Sequence, residues 1–237
     1  MINKIYKNKK IVVTGHTGFK GSWLCFWLYL SGADIYGISK SIPTNPSLFK
    51  ILNIKKLIKK DYRINVKDNK KLKNLIEKIE PEIIFHLAEQ TLVKKSYKET
   101  LETFLTNTVG TLNILDIIYN CKKKINLVLI TSDKVYKNIN TKKKYIESDK
   151  IGGDDPYSSS KGAADIIANS YQLLFKKKGH KIVIARAGNV IGGGDWADDR
   201  IISDCFKSWK SNTSVKIRSP NSTRPWQHVL EPISGYL

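Results

Sequence analysis

Residues 12–21, Val-Val-Thr-Gly-His-Thr-Gly-Phe-Lys-Gly, decide the fold. An apolar β-branched run stops at Gly15, and further glycines follow at Gly18 and Gly21. Next comes the apolar stretch from Trp23 to Leu30, read as a helix over 20–32 closed by Gly32. A strand that ends in a glycine loop opening a helix presents backbone amides to a phosphate. Only glycine allows both the tight turn and the close approach. Gly15, Thr17, Gly18, Phe19 and Gly21 are therefore candidate dinucleotide contacts.

Outward from this loop, apolar runs and helical patterns alternate. Strands are expected at 10–15, 34–39, 62–66, 82–88, 125–132 and 181–192, and helices at 69–80, 98–121 and 157–177. Near-continuous apolar strands separated by helices predict an α/β fold, a doubly wound parallel sheet of Rossmann type. Residues 1–188 form the expected dinucleotide-binding domain. Residues 189–237 begin a smaller, incomplete substrate region, with a helix near 201–211, a short strand near 214–218 and the start of a helix at 231–237.

Composition narrows the function. The chain has 237 residues and a formal charge of +20, from 41 basic and 21 acidic residues. Only Arg63, Arg186, Arg200, Arg218 and Arg224 are arginines, and specific nucleic-acid readers use arginine for bidentate contacts. The lysine runs at 7–10, 122–124, 142–144 and 176–178 read as solvated faces, so no specific nucleic-acid partner is expected. Cys25, Cys121 and Cys205 form no Cys-x-x-Cys pair, and the four histidines are dispersed, which argues for a reducing cytoplasm and no metal site. No apolar run approaches the roughly 20 residues of a membrane span.

Tyr157-Ser-Ser-Ser-Lys161 places a phenol and an ammonium one helical turn apart. A neighbouring cation favours phenolate, so such a tyrosine can exchange a proton with a hydroxyl while a nicotinamide exchanges hydride. At the end of the second strand stand Ser39 and Lys40; the lysine leans toward NADP, which carries an extra phosphate.

These motifs resemble the extended short-chain dehydrogenase/reductase superfamily, and within it the NAD-dependent sugar-nucleotide epimerases and dehydratases. The likeness lies in "VTGHTGFKGSWL" at 13–24, "FHLAEQTLVKKSY" at 85–97, "TNTVGTLNIL" at 106–115, "TSDKVY" at 131–136, "YSSSK" at 157–161, "RAGNVIGGGDWADDRIISD" at 186–204 and "RPWQHVLEPISGYL" at 224–237. It implies NAD as cofactor, a nucleotide-sugar substrate, and a homodimer paired through the helices at 98–121 and 157–177. Ser132-Asp133-Lys134 points to the dehydratases rather than the epimerases. Elimination of water needs an acid and a base, and lysine at 134 is characteristic of the branch acting on CDP-glucose.

Residue by residue, the resemblance implies Ser132 beside Tyr157 at the sugar hydroxyl, Asp133 as acid and Lys134 as base. It implies Ser39, Asn65, Val66, Leu87 and Ala88 along the cofactor, and Gln90, Asn189 and Arg200 at the substrate, with Asn107 bracing the loop. Three departures stand out. Glu89 and Thr91 replace an alanine and a proline, Asn65 replaces an acidic residue, and relatives continue for roughly another hundred residues. A cofactor-binding fragment without catalysis is the alternative this last departure keeps open.

Overall fold

The computed structural model describes residues 4–139, 144–217 and 219–237. Six strands form one parallel sheet in the order β3-β2-β1-β4-β5-β6. They are β1 (Lys10–Thr14), β2 (Asp34–Ile38), β3 (Lys60–Tyr62), β4 (Ile83–His86), β5 (Asn126–Ser132) and β6 (Lys181–Ala187). Both faces are covered, as near-continuous apolar strands require. Ile11 and Val13 of β1 face a core shared with Leu24, Cys25 and Leu28 of α1 (Phe19–Leu30). Val12 faces the opposite core, built by α4 (Asn69–Ile79), α7 (Gly110–Asn120) and α8 (Pro156–Lys178) through Leu72, Ile76, Ile114, Ile118 and Phe175. Each fully buried side chain of this kind contributes about 1.5–3 kcal/mol of transfer free energy.

Local signals end these elements. Asp68 caps α4 by accepting from the Lys71 amide, and Glu80 closes it in a left-handed conformation directly before Pro81. Asp155 caps α8 by accepting from the Ser158 amide at 2.9 Å, Pro156 takes its first position, and left-handed Gly179 ends it.

Several boundaries depart from expectation. The strand expected at 62–66 is β3, two residues earlier, because β3 pairs Lys60 and Tyr62 with Tyr36 and Ile38 of β2. Residues 63–66 then turn away, carrying Asn65 and Val66 toward the end of the sheet. The helix expected at 98–121 is interrupted. Between α5 (Val93–Lys98) with α6 (Thr100–Phe104) and α7, a π-helix spans Leu105–Val109. The run at 181–192 is two strands, β6 and the short β7 (Val190–Ile191). β7 pairs in parallel with β8 (Gln227–His228), away from the main sheet. The split falls at Gly188, where a Cβ would lie 2.9 Å from Pro225. Residues 214–217 form no strand; Arg218 and lysines 142 and 143 lie outside the described residues. Short helices α2 (Leu48–Ile51) and α3 (Ile54–Leu57) precede β3, and α9 (Ile201–Lys210) and α10 (Leu230–Tyr236) complete the chain.

A buried polar line crosses under the sheet's carboxyl edge. The Ala88 amide donates to the Thr14 hydroxyl (3.2 Å), which lies 2.7 Å from His86 Nδ1 and donates to it once the other ring nitrogen holds the proton. The Thr111 hydroxyl donates to Asn107 O (2.7 Å), so it accepts from His86 Nε2 (3.2 Å). This arrangement places the proton on Nε2. Asn107 then braces the backbone of Gln90, accepting from its amide at 2.7 Å and donating to its carbonyl at 3.1 Å, and donates to Ser160 Oγ at 2.9 Å.

Burial, reinforced by the charge of Lys161, pushes His86 down to about 3. Between that value and the ordinary one near 6.5 the unfolded chain holds one proton more than the native chain, so stability falls as pH is lowered through this window, by up to about 1.4 kcal/mol per pH unit. Urea unfolding at a series of pH values should show the gap between the parent and His86→Gln narrowing toward acid; a constant gap would refute the assignment. Asp155→Ala should cost about 0.5–2 kcal/mol by loss of the α8 cap, read from the same urea midpoints.

Candidate active site

All the loops that leave the carboxyl edge open into one cleft of about 1950 Å³. Single drug-sized ligands occupy roughly 300–1,000 Å³, so this space suits a dinucleotide together with a second ligand. The cleft lies where the strand order reverses between β1 and β4, the place where doubly wound sheets bind ligands.

The glycine loop forms one wall. Gly15 has φ +74°, and a Cβ there would lie 2.7 Å from the Leu87 carbonyl carbon. At Gly21 a Cβ would fall 2.2 Å from Gly15 O. Both positions therefore exclude any side chain, and the opening amides of α1, which have no helical acceptor by construction, face the cleft from a helix N-terminus. Thr17 is buried and donates to Ser41 O at 2.7 Å. Ser39, also buried, pairs with His16 Nδ1 at 2.9 Å, while His16 Nε2 meets Asp61 at 3.0 Å. Burial pushes His16 down, and Asp61 opposes that shift. Lys40 is exposed and lies 3.8 Å from Glu102, which offsets its pull toward a second phosphate. Phe19, Asn65, Val66, Leu87 and Ala88 line the same cleft. Asn65 spends its side-chain oxygen on the Lys67 amide at 3.1 Å.

The opposite wall carries acid-base groups. Ser132 ends β5 and its hydroxyl accepts from the Lys134 amide at 3.2 Å, starting a 3-10 turn over Asp133–Val135. The same hydroxyl lies 3.1 Å from Asp133 Oδ1. Tyr157, on the first turn of α8, is 7% exposed and faces the cleft. One turn on, Lys161 donates to Ile130 O at 3.1 Å and lies 2.5 Å from Glu89 Oε2.

The sequence motif implies a tyrosine drawn toward phenolate by its lysine. In the chain by itself, other influences oppose that pull. Burial pushes the Tyr157 phenol well above its ordinary value and Glu89 pushes it the same way, while hydrogen bonding to Ser132 and the charge of Arg200 oppose both.

The three expected substrate contacts differ in how they stand. Asn189 lines the cleft, with its carbonyl held by the Gln227 amide at 3.0 Å. Arg200 also lines it, paired with Asp195 at 2.9 Å. Gln90 lines it too, but its amide group is spent on Leu92 and Thr103, at 2.6 to 3.1 Å, so it holds the loop before α5. Sequence reasoning missed Lys20, half-buried on the cleft wall, whose ammonium lies in the field of Glu89, Lys161, Arg200 and Asp133; desolvation pushes its pKa down, and Glu89 opposes that. Its place on the first turn of α1 after the last loop residues was the available signal. It also missed the buried Arg186 and Asp165 fork, with bonds of 2.9 and 2.7 Å, which ties β6 to α8. Among the described residues no His, Cys, Asp and Glu cluster could hold a metal, and no helix is long and apolar enough to cross a membrane.

Comparison with known proteins agrees with this architecture. The chain is 45% identical to a CDP-glucose 4,6-dehydratase of Salmonella typhimurium, across its whole length and 68% of that protein. Its fold is similar to Pal from Bacillus thuringiensis, with a TM-score of 0.86, 23% identity, and coverage of 96% of this chain and 72% of Pal. It is also similar to a dTDP-glucose 4,6-dehydratase of Bacillus anthracis solved with NAD, with a TM-score of 0.80, 22% identity, and coverage of 95% and 69%. The model of the GDP-mannose 4,6 dehydratase family matches residues 12–236. Since that match runs from β1 through the glycine loop and both walls of the cleft to α10, the chain belongs to the GDP-mannose 4,6 dehydratase family.

Proposed function

We propose that this chain is a sugar-nucleotide 4,6-dehydratase that binds NAD and converts CDP-glucose to CDP-4-keto-6-deoxyglucose. The observation that carries the reading is the presence of Asp133 and Lys134 in the same cleft as Tyr157, one helical turn before Lys161. A redox pair alone suffices for epimerisation. Removal of water across C5 and C6 also requires an acid and a base.

NAD fits the first wall, because Gly15 and Gly21 let the loop pack backbone to backbone against the end of β4 and the first turn of α1, which leaves the opening amides of α1 turned to the cleft. Residues 1–188 hold it through Gly15, Thr17, Gly18, Phe19, Gly21, Ser39, Asn65, Val66, Leu87, Ala88, Tyr157 and Lys161. When bound, NAD accepts a hydride and later returns it. Tyr157 takes the proton from the sugar's C4 hydroxyl while Ser132 hydrogen-bonds that oxygen. Lys134 removes the C5 proton, and Asp133 protonates the departing C6 hydroxyl. Residues 189–237 begin the sugar-nucleotide side, where Asn189 faces the diphosphate and Arg200 exchanges Asp195 for it. The same reading places the chain in the cytoplasm as a homodimer joined through α6, α7 and α8, which expose Leu101, Leu112, Ile166 and Leu173.

Incubation of the purified chain with CDP-glucose and NAD should release a 4-keto-6-deoxy sugar, detected by its alkaline absorbance. Asp133→Asn should lower its rate by about 10²–10⁴-fold; a 4-epimer formed in its place, or an unchanged rate in the variant, would overturn the dehydratase reading. Gly21→Ala should weaken NAD binding by more than about tenfold in calorimetry, because its Cβ meets Gly15 O at 2.2 Å.

A further inference from the structure

Glu89 lies three residues beyond β4, where the resemblance leads one to expect alanine. Its side chain is 9% exposed and that of Lys161 is 4% exposed, and Oε2 and Nζ are 2.5 Å apart. The ammonium donates its hydrogen bond to Ile130 O, and Glu89 Oε2 faces it as an ion pair without hydrogen-bond geometry. Charged and titratable groups approach this pair from every neighbouring element. They are Lys20 from α1, His86 from β4, Asp133 after β5, Tyr157 from α8, Arg200 before α9, and Tyr236 from α10. The Tyr236 hydroxyl is buried without a hydrogen-bond partner among the described residues, and both burial and Glu89 push it up. Glu89 is the one carboxylate that acts on Lys20, Tyr157 and Tyr236 alike.

A lysine can draw a neighbouring phenol toward phenolate only as an uncompensated cation. With an anion 2.5 Å from its nitrogen, its field at longer range becomes that of a dipole. We propose that Glu89 is a positioning residue for the redox pair: as counter-ion of Lys161 it anchors the ammonium at the end of β5 and offsets its field on the cleft side, so that the resting site holds Tyr157 as the neutral phenol. The raised Tyr157 phenol agrees with this, since Glu89 is its second cause after burial. A ligand hydroxyl that takes over one partner of Lys161 would then release the lysine to act on Tyr157. The inference deepens the reading of Tyr157 and Lys161 as the redox pair and rests on it.

The test is a phenolate absorbance titration of the chain without cofactor or substrate, so it is read whether or not the dehydratase reaction occurs. Subtracting the Tyr157→Phe titration from the parent's isolates Tyr157, and the same subtraction is made in a Glu89→Gln background. The parent phenol should ionise only above the ordinary value near 10. In Glu89→Gln its midpoint should fall by roughly 1–3 units, and Glu89→Asp, which keeps the charge, should behave as the parent. An ion pair with a merely structural role would lower the melting temperature of Glu89→Gln and leave the phenol midpoint in place, which would overturn the proposal. If Glu89→Gln does not fold by circular dichroism, Glu89→Ala takes its place in the same subtraction: a fall of the Tyr157 midpoint relative to the parent upholds the idea, and an unchanged midpoint sinks it. In an active chain, the acid limb of the rate profile should move to lower pH in Glu89→Gln, with kcat affected more than KM.

Discussion

A line of buried hydrogen bonds under the carboxyl edge of the sheet holds the site in place. Strands β1 and β4 end there, and their last polar groups have neither a further strand nor water to pair with. Thr14, His86, Thr111 and Asn107 supply the partners, and each has its hydrogen bonds assigned by its neighbours. An unsatisfied group in such a position costs about 1–3 kcal/mol, so the line behaves as a unit. It also fixes directions. Asn107 holds Gln90 from one side and Ser160 from the other, which sets the loop carrying Glu89 against the turn of α8 carrying Tyr157 and Lys161. Within the π-helix at Leu105–Val109, Asn107 and Thr108 both reach Ser160, one at its hydroxyl and the other at its carbonyl.

Two buried ion pairs then play different parts. Arg186 and Asp165 form a two-bond fork that also accepts the Thr131 hydroxyl, with Arg186 stacked 4.9 Å above Tyr136. Every strong partner in that cluster is protein, so it works as a bolt between β5, β6 and α8. Glu89 and Lys161 lie 2.5 Å apart, and Glu89 Oε2 has no hydrogen bond of good geometry. A pair held by attraction alone, at the mouth of a cleft, can be exchanged for ligand contacts at lower cost than a geometrically satisfied fork.

The sequence announces what backbone geometry demands and conceals what side chains settle among themselves. The glycine loop was legible because no other residue fits 2.2 Å from a carbonyl oxygen, and α8 because Asp155, Pro156 and Gly179 mark its ends. The position of β3 was not, since its pairing with β2 matters more than the β-branched residues just beyond it. Nor was the break in the helix over 98–121, which arises from contacts with α8, fifty residues away. The counter-ion of Lys161 was hidden for a similar reason. The spacing to Lys161 is visible in one turn of helix, whereas the partner that neutralises Lys161 arrives from another strand.

Net charge illustrates the same separation of scales. The chain carries +20, yet its exposed lysines are screened beyond roughly 10 Å at ordinary ionic strength, and the cleft does not inherit their sum. Inside it, Lys161 meets Glu89 and Arg200 meets Asp195, while Lys20 lies in the field of Glu89 and Asp133. Cations compensated by carboxylates at this range present an anionic ligand with donors whose present partners must first be displaced. Selectivity in such a site comes from which ligand oxygens can replace which carboxylate, one exchange at a time, and the basic surface contributes only the encounter.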